Sequence, residues 1–90
     1  MSPHLLLILH ILRIVILELY EKHRFLLSKE ERCVVERCLE LITLLSYRDP
    51  CRALDVAKYT LMLMLEKGDK KRQILRILKE ILKTFRWLVS

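Results

Sequence analysis

The residues in this chain whose type and spacing could do chemistry are seven cations near its end. They are Lys70, Lys71, Arg72, Arg76, Lys79, Lys83 and Arg86, set against only Asp69 and Glu80. On one helix they occupy an arc able to lie along phosphates and neutralise them without reading sequence. Lys70, Lys71 and Arg72 fall at the helix start, where the macrodipole is positive and disfavours cations, so a bound anion would account for them. Lys and Arg minus Asp and Glu give +1 for residues 1–27, −1 for 28–49, +1 for 50–68 and +5 for 69–90, which sums to the net +6. The basicity thus belongs to the last segment. Nucleic acid or an acidic protein suits such a surface, and so does plain solvation.

Other reactive groups do not form a constellation. His4, His10 and His23 are not four apart, so no pair can share a metal from one helix face. Cys33 and Cys38 are separated by about 140° of helical rotation and cannot jointly grip a metal; with Cys51 they read as buried structural thiols. The single glycine, Gly68, leaves no phosphate-cradling loop. A DNA-reading helix-turn-helix needs a small residue four before its glycine and apolar flanks, whereas Met64 is large and Lys67 and Asp69 are charged. The expectation is a protein with no catalysis, metal or cofactor.

The elements that position these groups are helical. Only one Gly and two Pro punctuate the 90 residues, 53% are hydrophobic, and Leu alone accounts for 21, so little chain is left for loops. Ser2 and Pro3 have the form of an N-cap and first position, predicting a helix over about 3–27. From Leu5 to Leu19 only His10, Arg13 and Glu18 are polar. Ser28 with Glu31 is a capping box opening a second helix, 29–47, with Val34, Cys38, Leu41, Ile42 and Leu45 inward. Asp49 and Pro50 start a third, 50–67, with Leu54, Ala57, Leu61, Met64 and Leu65 inward and Gly68 as its left-handed stop. Asp69 caps the fourth, 70–89, along the seam Ile74, Leu78, Ile81, Phe85 and Leu88.

Short connections make consecutive helices antiparallel, predicting a single-domain, all-α, four-helix up-down bundle. A chain this short buries only about 60–65% of the surface its unfolded form exposes, and its first helix is apolar almost all round. The bundle is therefore expected to be completed by homo-oligomerisation, with a dimer the first choice. The interface is expected on the long, overhanging first helix through Leu5, Ile8, Leu9, Leu12, Val15, Ile16 and Leu19, by docking or by donating the helix to a neighbour. The run Leu5–Leu19 spans about 22 Å, short of the roughly 30 Å hydrocarbon core, which leaves peripheral membrane contact as a lesser alternative. The absence of Asn and the single Gln73 suit a hyperthermophilic source, an archaeon or one of its viruses. The functional expectation is a cytoplasmic or virion-associated structural or interaction protein that contacts nucleic acid through its fourth helix. The alternative is a coat-like assembly protein without a nucleic-acid role.

Overall fold

A computed structural model describes residues 3–89, which are all-helical: α1 (Pro3–His23), a short 3-10 turn (Arg24–Leu26), α2 (Lys29–Arg48), α3 (Pro50–Leu65) and α4 (Gly68–Thr84). Ser2, the expected first cap, lies outside the described residues. Two of the other three expected side-chain caps, Ser28 and Asp49, form as their sequences require. Glu31 N–H donates to Ser28 Oγ at 3.1 Å and Ser28 N–H to Glu31 Oε1 at 2.8 Å, satisfying two free donors at the start of α2. Asp49 closes α2 by donating its N–H to Leu45 O at 2.8 Å and opens α3 by accepting from Arg52 N–H at 3.2 Å. One residue joins two helices, and Pro50 at the first position of α3 forfeits no hydrogen bond.

Several boundaries differ from the sequence reading. α1 stops at His23, four residues early, because the chain tightens into the 3-10 turn before the Ser28 capping box. At 21 residues against 20 for α2, α1 no longer overhangs. Gly68 has φ +67, the left-handed region expected of it, yet α3 has already ended at Leu65 with extended Glu66 as its cap. Asp69 does not cap α4; it lies in the first turn and pairs with Arg72 at 2.8 Å. α4 ends at Thr84, and residues 85–88 turn back, with Leu88 N–H donating to Phe85 O at 2.8 Å.

Cross-links fix the helix directions. Arg13 reaches Thr43 and Tyr20 reaches Glu36, so α1 and α2 run antiparallel. Glu66 pairs with Lys70, and Arg52 lies over Phe85, so α3 and α4 do as well. α2 and α3 pack on each other at the centre, and both α1 and α4 pack on that pair. α1 and α4 hardly meet, so they flank the central pair from opposite sides of a four-helix arrangement in which α2 and α3 form the short diagonal. The core is aliphatic: Leu9, Ile16, Val35, Leu41, Ile42, Leu63 and Leu78 are fully enclosed. Buried Thr60 donates to Val56 O at 2.7 Å, and among the described residues no buried side-chain polar atom is left without a partner.

The radius of gyration, 12.4 Å, is close to the roughly 12 Å expected of a compact chain of this length. Within the chain α1 packs on α2 and α3.

Candidate functional site: an apolar helix face and a cationic groove

Two surfaces stand out, on opposite sides of the α2–α3 pair. The first is the outer face of α1. Leu7, Ile8, Ile11, Ile14 and Val15 are 58, 48, 51, 43 and 40% exposed. They lie at helical spacing on one stripe, because α1 buries the opposite stripe of Leu9, Ile16 and Tyr20. Together they present on the order of 400 Å² of contiguous apolar surface, within the size range of the largest, often functional patch on a monomer. His4 and Glu18 bound the stripe at its two ends.

This corrects the expected interface residue by residue. Leu9 and Ile16 are 1% and 0% exposed and belong to the core, unavailable to a partner. Leu5, Leu12 and Leu19 are half-buried, and only Ile8 and Val15 of that set are exposed. Arg13, one of the three polar residues of this run, leans toward α2 on the buried side and donates from Nη1 to Thr43 Oγ1 at 3.3 Å. Tyr20, whose hydroxyl donates to the Glu36 carboxylate, turns inward with it. Burial together with that hydrogen bond pushes the phenol up to about 12, because both favour its neutral form. On a helix apolar all round, its few polar residues do not mark the outer face, since tertiary hydrogen bonds can claim them.

The second surface is cationic. Of the seven expected cations, four are held by acids. Lys70 pairs with Glu66 at 3.4 Å, Lys71 with Glu31 at 3.3 Å, Arg72 with Asp69 at 2.8 Å, and Lys79 with Glu30. The unfavourable cations of the first turn are thus explained by carboxylates of the fold itself. Lys71 is the most engaged, with its side chain 18% exposed, and Glu31 serves both it and the α2 capping box. Arg76, Lys83 and Arg86 make no ion pair among the described residues, which moves the free positive charge toward the C-terminal end of α4.

There, between α4, the turn after it and α2, lies an open groove of about 760 Å³. Leu82, Trp87 and Val89 line it, and Arg37, Lys83 and Arg86 bring cationic tips to it. Arg37 Nη1 donates to Val89 O at 2.8 Å, which holds the guanidinium at the lip with most of its five donors uncommitted. Arg48, outside the groove lining, sits 5.7 Å from the centre of the Trp87 ring. Arg37, Leu82, Trp87 and Val89 were not among the expected site residues. The available signal was a lone tryptophan embedded in the most basic segment.

Of the cysteines, only Cys38 is buried; Cys33 and Cys51 are exposed, contrary to the expectation of three structural thiols. Burial pushes the Cys38 thiol up to about 12. His10 is exposed and His23 half-buried, and no group of three metal-ligating side chains occurs among the described residues. The chain matches no family model, no curated protein and no solved structure.

Proposed function

We propose that this protein is a non-enzymatic helical interaction module that pairs with a second copy through the outer face of α1 and meets nucleic acid through the cationic side of α4. The observation that carries the reading is the placement of these two surfaces on opposite flanks of the α2–α3 pair, so that dimerisation leaves the cations free. The α1 stripe is also complementary to itself. In an antiparallel pairing centred on Ile11, Leu7 faces Val15, Ile8 faces Ile14, and the His4 imidazole faces the Glu18 carboxylate of the second copy. The apolar stripe alone supplies about half of the roughly 800 Å² per partner of a standard interface, and its polar ends add to it.

A membrane reading rests on one observation: Pro3–Leu26 is a 24-residue stretch long and apolar enough to cross a bilayer, and little of it is buried. Against spanning, α1 contributes Leu9, Ile16 and Tyr20 to the core, and insertion would strip them from α2 and α3. The setting of such a module is the cytoplasm or a virion. A hyperthermophile or archaeal-virus source rests on composition, and thermal unfolding tests it.

Light scattering during size exclusion tests the pairing, with a mass of twice 10.9 kDa expected. A monomer at all concentrations together with flotation on liposomes would replace it with the membrane reading. Titration of labelled DNA and RNA at two salt concentrations tests the second half. Affinity is expected to fall steeply with salt, whereas no binding at low salt would leave assembly as the whole function.

A further inference from the structure

We infer that the groove beside Trp87 is a stacking site for an unpaired base, so that this protein prefers single-stranded nucleic acid to duplex. The inference rests on the nucleic-acid half of the proposed function and specifies its ligand. Trp87 is 64% exposed, a large apolar surface for a solvent-facing position. It is not stranded there by a loose chain end, because its neighbours on both sides are anchored. Phe85 packs against the core with Arg52 over its ring, and Val89 is 5% exposed and accepts from Arg37. The indole is therefore presented by a fixed turn. Arg48 near the ring further restrains it while staying out of the groove.

The chemistry of the lining selects the ligand. An apolar platform that accepts any planar ring, beside cations that accept phosphate, is how single strands are held without sequence readout. Lys83 on the last turn of α4, Arg86 in the turn that follows it and Arg37 on α2 all line the groove, so positive charge recurs along it. Repeated charge suits a polyanion better than the one carboxylate of a fatty acid. A duplex keeps its bases stacked inside and would meet only the cationic tips. Glu80 is the one acid at the groove, and Lys79 is already held by Glu30, so neither adds to the site's attraction for phosphate.

Trp87 is the only tryptophan, so its fluorescence reports this groove alone. The experiment titrates the full chain at low salt with a twelve-nucleotide oligothymidylate and with a hairpin duplex, following Trp87 emission and, independently, the anisotropy of a label on the nucleic acid. Quenching by the single strand and tighter binding of it than of the duplex are expected. Trp87→Ala should weaken single-strand binding roughly tenfold to a hundredfold while leaving duplex binding unchanged, and Trp87→Phe should restore most of the loss. Circular dichroism identifies any variant that fails to fold, in which case the wild-type quenching and the strand preference decide alone. Equal binding of both forms with a silent Trp87 would overturn the stacking site while leaving a cationic contact on α4. Quenching by oleate or anionic vesicles but not by oligothymidylate would also overturn it and assign the groove to lipid. No anisotropy change with either nucleic acid would overturn both readings.

Discussion

Replacing Ile11 with aspartate separates the dimer surface from the core within a single helix. Ile11 is 51% exposed at the centre of the α1 stripe, so a second copy would cover on the order of 90 Å² of it, worth about 2 kcal/mol at the usual coefficient. In a two-fold pairing the residue occurs twice, giving about 4 kcal/mol, or roughly a thousandfold in dissociation constant. Two carboxylates brought face to face at the two-fold axis add repulsion to that loss. The folded monomer should barely notice, since the cost there is a helix-propensity difference of about half a kcal/mol. Ile16→Ala makes the opposite case. Ile16 is fully buried on the other side of α1, and its truncation should cost about 2–5 kcal/mol of folding stability through the cavity it leaves. Sedimentation velocity over a hundredfold concentration range reads the first effect, and urea unfolding of each variant reads the second. If Ile11→Asp keeps the wild-type sedimentation profile while remaining folded, the outer face of α1 is not where copies meet. If Ile16→Ala melts like wild type, the packing of α1 on α2 and α3 is wrong.

Three further predictions follow from individual side chains. A thiol reagent should label two cysteines quickly, Cys33 and Cys51, and the third only on unfolding, because Cys38 is buried with a thiol raised to about 12; three fast thiols would contradict the core. Tyr20 should ionise near 12 against an ordinary 10 in an ultraviolet titration. The folded protein then keeps a proton that the unfolded chain loses. The resulting stability is complete below pH 10, declines between 10 and 12 and is gone above that; Tyr20→Phe should flatten this decline, and an unchanged profile would assign it elsewhere. Glu31→Gln should cost about 1 kcal/mol in urea unfolding, mostly by removing the charge opposite half-buried Lys71, and Lys71→Met in the Gln background should then cost little more.

The local grammar of this chain was legible from its residues, and the choice of faces was not. Ser28 with Glu31, and Asp49 with Pro50, specify caps through atoms within four residues of one another, so no tertiary information is needed to read them. The left-handed backbone at Gly68 follows from the lack of a Cβ, yet the end of α3 moved to Leu65 because an extended Glu66–Lys67 link intervenes. The break at His23 was missed because nothing in Glu21–Arg24 forbids a helix; the cap at Ser28 and the packing beyond it decided where α1 had to turn. The end of α4 was missed in the same way, since Phe85–Val89 continues the helical pattern until tertiary contacts with Arg37, Arg48 and Arg52 draw it into a turn.

Sequence by itself determined that the chain is helical, where α2 and α3 begin, that positive charge gathers after Gly68, and that α1 has more apolar surface than one face can bury. Tertiary structure decided which stripe of α1 is buried and which is free, because on a helix apolar all round only packing against α2 and α3 selects the stripe of Leu9, Ile16 and Tyr20. It also decided which cations stay unpaired. Lys71 and Lys79 are bound by Glu31 and Glu30, some 40 or more residues earlier in the chain, a distance that local pattern cannot cross and that only the packing of α4 against α2 closes.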